Sequence, residues 1–470
     1  MLATVVFGMV ASRWLSKHDY ATIKQTFLAY NFAAPLLMLG LPNALYYFLP
    51  REHEMKRGVI IDNMALLTMG GFVFSLFIVF GGHQLLAARF DNPDLRQTLS
   101  WLFLYPLIIM PIAGLAAVLV CSNRARTLAV YNVVSNLVLT LSGIVAILLT
   151  KSYTMPIIVR IVVPVAFLPI AVVLMFSTIP GRFRWPKFSS MKEMVRYSVP
   201  LGLATMLGSI TLQLHSIIVA SFCSPEEFVI YINGAMEIPL IGIVTGSITM
   251  VIFAEMTEMC HKGEKKAALE LFHKASLKSA CILLPTMCYL LVVAEPFIVS
   301  LYSEQYLDSV VPFTIYLFVL PVRIVVYGAA LMALGMTRII LIRSFFDLLI
   351  NGLLCILLVH FVGYNGAALA TILTLYIWTI PFNIKKISTG MGVTWYQCIP
   401  FEKLFHILLI SVFGITFAIF VILFTELSSI FKIFYTAILY WPIVGYMLYR
   451  NKYFNPPRII EKIIPTQLRV

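Results

Sequence analysis

The chain has 470 residues, 60% of them apolar and only 12% charged, and a formal charge of +13. A soluble domain carries about 25% charged residues, so this composition excludes an ordinary soluble globule. Apolar runs of about 20 residues recur from end to end and describe a multi-pass helical membrane protein. The basic excess does not describe a nucleic-acid surface. Of the 34 Lys and Arg residues, 25 fall on alternate loops of one side, seven on the other (Arg13, Lys17, Lys24, Arg89, Arg96, Lys151 and Lys432), and Arg160 and Arg323 inside apolar segments. That asymmetry is the positive-inside pattern and places both termini in the cytoplasm, against anionic lipid.

Taken in order, residues 1–12 make about 18 Å of helix, too short for a hydrocarbon core of roughly 30 Å. Helix 1 is therefore shortened, or the reading frame begins inside it. Helix 2 spans 23–49 with a kink expected at Pro35, Gly40 and Pro42. Helices 3 to 6 follow at 59–82, 98–121, 128–149 and 155–179, the last expected to be the most irregular because of Pro156, Pro164 and Pro169. Helices 7 to 12 fall at 197–222, 228–255, 276–302, 312–334, 339–361 and 363–384. Residues 261–278 read as a basic amphipathic segment on the surface. Two further helices, at 404–425 and 430–449, precede a basic tail. Gly242-Ile-Val-Thr-Gly246 reads as a close-approach packing face, and Glu295-Pro296 as a cap or bend. The seven cysteines show no C-x-x-C spacing, so no disulfide framework, metal site or cofactor is expected.

The order of landmarks repeats. Gly114 to Arg124 lines up with Gly328 to Arg338, and Ala11 to Tyr20 with Val219 to Phe228, at a nearly constant offset. With six helices per half, the copies are parallel, related about the membrane normal. The fold class is thus an all-α polytopic membrane protein of about 14 transmembrane helices. A six-helix lobe spans 1–180, a cytoplasmic linker 181–196 and a second six-helix lobe 197–384. Residues 385–470 add two helices and the basic tail.

Three stretches carry a family resemblance: Ala294-Glu-Pro-Phe-Ile-Val-Ser-Leu-Tyr302 running to Tyr306, Leu334-Gly-Met-Thr-Arg338, and Gly363-Tyr-Asn-Gly366-Ala-Ala-Leu-Ala-Thr371. In residue order and spacing the chain resembles the polysaccharide-transport branch of the multidrug/oligosaccharidyl-lipid/polysaccharide (MOP) exporter superfamily, the Wzx-type oligosaccharide flippases. The likeness extends over nearly the whole chain. It departs from the family in the short first helix and in Lys151-Ser-Tyr-Thr-Met-Pro156, which stands where a first-half copy of Gly-x-x-Gly-Ala belongs. The resemblance implies two MATE-like lobes facing a central cavity that opens alternately to either side. It also implies a polyprenyl-diphosphate-linked oligosaccharide as substrate, a bacterial inner-membrane location, and work alongside polysaccharide polymerase and chain-length machinery. No nucleic-acid partner is expected; membrane lipid is.

An ionisable group deep in a membrane costs at least roughly 2.5–3.5 kcal/mol on insertion scales, which makes such groups the functional candidates. Helix counting puts Glu237 about ten residues into helix 8 and Arg323 about eleven into helix 10, both near the midplane. Arg160 lies toward the outer end of helix 6, His215 in the outer half of helix 7, and Asp347 inside helix 11. None has a charged counterpart in the other repeat. Arg323 and Arg160 suit a diphosphate or acidic sugar, since a guanidinium binds phosphate in a fork. Glu237 suits pairing with Arg323 or carrying a coupling proton or sodium ion. Structural alternatives stand beside these: a Glu237–Arg323 tie between helices, a snorkelling Arg160, a hydrogen-bonding His215, an Asp347–Arg343 pair, and packing roles for Asn136 and Asn351.

The function expected from these residues is a lipid-linked oligosaccharide flippase, with a cation-coupled multidrug or metabolite exporter of the same fold as the alternative. A membrane-embedded glycan polymerase or ligase fits less well. Such enzymes need a large outer loop or soluble domain, and neither a nucleophile–base constellation nor a nucleotide-binding loop occurs here. An enzyme is not expected.

Overall fold

The computed structural model of the protein describes residues 2–52, 54–179, 181, 183–424 and 428–453. The basic tail beyond Tyr453 lies outside the described residues. Every regular element among them is helical. The chain is a multi-pass membrane protein, and nine stretches among the described residues are long and apolar enough to cross a bilayer. The expected count of 14 includes runs that fall short as single helices. Contacts group the chain into two compact units, 1–229 with 359–364, and 230–358 with 365–470.

The first unit contains α1 (Leu2–Trp14), α2 (Lys17–Met38), α3 (Leu41–Arg51), α4 (Lys56–Phe77), α5 (His83–Arg89), α6 (Leu95–Trp101), α7 (Leu104–Ile109), α8 (Leu115–Cys121), α9 (Ala125–Thr150), α10 (Thr154–Ser177) and α11 (Phe188–Phe222). The kink expected in helix 2 is a full break: Leu39 and Gly40 both take left-handed backbone, at φ 44° and 73°. A Cβ on Gly40 would stand 2.7 Å from the Cα of Gly202. These two glycines let the break press directly on α11, which explains why the helix after the 181–187 turn packs with the first unit.

That turn is anchored from α4. Asp62 has no exposed surface; its carboxylate accepts both terminal nitrogens of Arg184 and the Lys187 amide at 2.9 Å. Arg57 donates to the Ile179 and Phe176 carbonyls on the same side. On the opposite face by the charge pattern, His18 lies between Asp94 at 3.1 Å and Glu226 at 3.2 Å.

Helix α12 (Pro225–Gly234) leads into the second unit, which holds α13 (Pro239–His261), α14 (Lys265–Val292), α15 (Ala294–Tyr302), α16 (Val310–Leu317), α17 (Val319–Arg323), α18 (Tyr327–Ala333), α19 (Thr337–Val362), α20 (Asn365–Leu373), α21 (Ile380–Met391), α22 (Trp395–Cys398), α23 (Phe401–Phe424) and α24 (Ser429–Arg450). Its core is α14, which buries Phe272, Leu283, Leu284 and Tyr289. The C-terminal pair α23–α24 is tied to it by hydroxyls: Tyr440 donates to the Pro285 and Ser411 carbonyls, and Tyr289 to that of Ile433 at 2.7 Å.

Several sequence expectations change. Residues 265–278 are not a separate surface segment; they open the 28-residue α14 and bury Ala268, Phe272 and Ala275. Helix 6 is not the most irregular, because α10 continues through Pro164 and Pro169; spanning helices tolerate proline where neighbouring groups or local backbone adjustment re-satisfy the freed carbonyls. Breaks fall instead in other helices, 2, 4, 8, 9 and 10 among them. Helix 9 ends at Val292 and restarts at Ala294, with Glu295 and Pro296 in the new first turn. Gly242 and Gly246 do not form a close-approach face, since a Cβ on either meets no described atom within 4 Å. The short helices α8 and α18 have seven residues each and precede α9 and α19, which have 26 each.

Candidate functional site

A membrane helix that shows polar groups to lipid leaves them without hydrogen-bond partners, so a polar face on such a helix must meet protein or water. Helix α9 has one. Its apolar run is interrupted by Asn132, Ser135 and Asn136, spaced i, i+3, i+4 on a single face. The two asparagines are exposed and Ser135 is half-buried. Together with Tyr131 they line a cavity of about 290 Å³ whose other walls come from the broken α7–α8 region and from α10 (Tyr105, Ala116, Pro164, Phe167). The break between α7 and α8 puts Ile112 and Ala113 into that wall. Asn136 and Asn351 therefore differ, although their recurrence suggested one packing role. Asn351 is 3% exposed and donates to Thr374 at 3.4 Å, while Asn136 faces the cavity.

Arg160 sits one turn before the cavity wall on α10. Its guanidinium lies over the Phe27 ring, 4.2 Å from the centroid, and its Nε is covered without an acceptor. Phe27 meets Tyr105 edge to face at 5.4 Å, so Arg160, Phe27, Tyr105 and the cavity form one contiguous series.

In the second unit, Glu237 and Arg323 are brought together as an ion pair. Neither lies inside a continuous helix. Glu237 is in the non-helical link between α12 and α13, corrected from a position ten residues into an unbroken helix, and Arg323 ends α17 before the 324–326 break. Unwound backbone at membrane depth persists only where protein or water satisfies it. Here Met236, Tyr316 and Leu320 join the pair around a pocket of about 20 Å³, room for about one water. Ile109, aligned with Arg323 in the repeat, likewise ends α7 and lines the larger cavity of the first unit.

The remaining candidates stand apart. Asp347 pairs with Arg343 at 3.3 Å and accepts from Thr379 at 2.8 Å, and Arg343 also donates to Asn383. His215 is buried, 8% exposed, in α11. Sequence reading missed the Asn132–Ser135–Asn136 face, although its helical spacing inside an apolar run was visible. It also missed Lys24, assigned to a loop but lying seven residues inside α2, and Asp62, whose partner is 122 residues away.

These features sit in a fold with known relatives. The structure is similar to the lipid II flippase MurJ in its inward closed conformation (TM-score 0.76, 13% identity, covering 96% of this chain and 97% of that one). It is also similar to an inward-facing multidrug resistance MATE family transporter of the MOP superfamily (TM-score 0.63, 14% identity, 84% and 96% covered). A MOP superfamily transporter from Pyrococcus furiosus, described as having a binding pocket of reversed polarity, gives a TM-score of 0.55 at 14% identity, with 84% and 94% covered. No curated protein matches by sequence. A family model described as polysaccharide biosynthesis protein matches residues 10–311. The chain therefore belongs to the polysaccharide biosynthesis protein family, with the fold of the MOP-superfamily flippases and exporters.

Proposed function

We propose that the protein is a flippase that carries a polyprenyl-diphosphate-linked oligosaccharide from the cytoplasmic to the outer leaflet of a bacterial inner membrane by alternating access, for surface polysaccharide synthesis. Both termini then lie in the cytoplasm. The observation that carries this reading is the cavity faced by Tyr131, Asn132, Ser135 and Asn136. Amides and hydroxyls, the Tyr131 phenol among them, both donate and accept hydrogen bonds, which is the chemistry a neutral sugar requires and an acyl chain cannot use. Family membership in polysaccharide biosynthesis and a flippase-like fold point the same way.

A cation-coupled drug exporter is less well supported, because Glu237 and Asp347 are each already paired with an arginine. We assign Arg323 and Glu237 a gating or coupling role at the two helix breaks, with a proton or sodium gradient as the energy source. The six-helix lobes 1–180 and 197–384 are proposed as the ancestral repeat, and polymerase and chain-length proteins as partners.

Cells lacking the protein are expected to accumulate polyprenyl-linked repeat units that stay inaccessible from outside. Delivery of unpolymerised glycan to the outer face in those cells would point to an enzyme and overturn the flippase reading.

A further inference from the structure

His18 stands in the first turn of α2 with a carboxylate on each ring nitrogen. Nε2 lies 3.1 Å from Oδ2 of Asp94, and Nδ1 lies 3.2 Å from Oε1 of Glu226. The three side chains come from separate stretches of the first unit: the start of α2, the residue before α6 and the first turn of α12. The other charged and titratable groups of this corner are Lys17 and Asp19 beside His18, Tyr153 ahead of α10, and Glu227 in α12. Tyr153 bonds to Asp94 and lies in the field of Asp19, while Glu227 is turned back onto the Ser224 amide at 2.9 Å. Arg13 donates to the Met9 carbonyl, Lys151 lies over the Trp14 ring, and Arg89 over that of Phe222.

A carboxylate only accepts hydrogen bonds, and a neutral imidazole has one donor and one acceptor. Neutral His18 therefore satisfies one of its two contacts and turns a lone pair on the other. The imidazolium, with a donor on each nitrogen, makes both, and it places a positive charge between two negative ones. The two arms are unequal. Asp94 keeps the Tyr153 hydroxyl as a second donor, whereas the Glu226 side chain has no other hydrogen-bond partner among the described residues. Glu226 is half-buried and within reach of water, so it is the arm that leaves when the proton does. It holds the first turn of α12, a ten-residue helix whose far end runs into the link carrying Glu237.

We propose that His18 is a proton-operated clasp. Protonated, it ties the start of α2 and Asp94 to α12; deprotonated, it releases Glu226 and with it the first turn of α12. The bonded form is the protonated one, so the contribution of the clasp is present at low pH and is lost as pH rises. Histidine is the side chain that ordinarily changes charge between about pH 5 and 8. The clasp lies on the side poor in basic loops, which the proposed orientation puts outside, so its proton comes from the outer medium. Through α12 that medium has a hold on the link where Glu237 meets Arg323. The clasp goes beyond the flippase reading and is independent of the cargo.

The test is amide hydrogen exchange in α12 of the full-length protein in detergent, at about pH 6 and about pH 8.5, with rates corrected for the intrinsic effect of pH. Exchange reports local opening. In the wild type it is expected to quicken about threefold at the higher pH, as loss of one half-exposed charged hydrogen bond does. His18→Gln is expected to exchange fast at both values. Glu226→Gln separates the clasp from general loosening. Its amide can donate to a neutral imidazole that still donates to Asp94, and its carbonyl can accept from the imidazolium, so α12 is expected to exchange slowly at both values. The thermal midpoint shows whether each variant is folded, and if His18→Gln is not, Glu226→Gln decides alone. Wild-type exchange that ignores pH would overturn the proposal, as would an undiminished pH response in folded His18→Gln or Glu226→Gln.

Discussion

Arg323, the last residue of α17, donates through Nη2 to Oε1 of Glu237 in the link between α12 and α13. A charge pair thus joins two interruptions of the helical backbone, in the stretch that carries the family's Gly and Arg landmarks. Their side chains are 31% and 36% exposed, so the pair is held without being sealed. Arg323→Gln and Glu237→Gln should each reduce surface glycan export by at least about tenfold. The stability loss should stay below the roughly 3–5 kcal/mol of breaking a fully buried pair. Making both substitutions removes the orphan charge, and should restore the protein's level in the membrane while export stays low. Surface glycan blots read against membrane immunoblots measure both; full export in the double variant would reduce the pair to a structural tie.

The α9 face yields a cleaner separation of folding from transport. Asn132 and Asn136 are exposed, and the Asn136 side chain donates only to the Asn132 carbonyl of its own helix. Replacing both with Leu leaves no buried polar group unsatisfied and makes the helix more apolar. Membrane levels should therefore be unchanged and export should fall about tenfold, as expected for loss of one or two hydrogen bonds to cargo. Unchanged export would remove this cavity from the path.

Asp62 and Arg184 test the scaffold. The carboxylate is fully buried and takes a two-point bond from Arg184. Arg184→Ala leaves that charge unpaired, at a cost of about 3–5 kcal/mol. The expected result is a lower thermal midpoint and faster proteolysis at the 181–187 turn. Asp62→Asn with Arg184→Gln should recover much of the loss.

Cys398 gives a pH-dependent readout outside the spanning segments. It is 1% exposed, and burial pushes its thiol up to about 11. The reactive thiolate is the minor form until pH approaches that value, whereas an ordinary thiol near 8.5 levels off by about pH 9.5. In a variant with the other six cysteines replaced by Ser, maleimide labelling at Cys398 should be slow at pH 7 and still rising about tenfold per pH unit at pH 9 to 10. A plateau near pH 9 would show the thiol to be accessible.

The sequence alone determined the membrane class and the charge asymmetry. Each depends on composition or on spacing along one chain, and an apolar run of about 20 residues has few other uses. It also singled out Arg323 and Glu237, because buried charge stands out against an apolar background. Tertiary structure decided the helix breaks and the pairings. Helix 8 reads as continuous around Glu237 because hydropathy records apolar content and not backbone path. Helix 6 reads as the most irregular because proline propensity says nothing of the surroundings that tolerate it. The partners Asp62 and Arg184, 122 residues apart, and the unpaired cations Lys24 and Arg160 are facts of packing. A lysine at a helix end and one about two turns deeper look alike in sequence; only the fold shows which lacks a counter-charge.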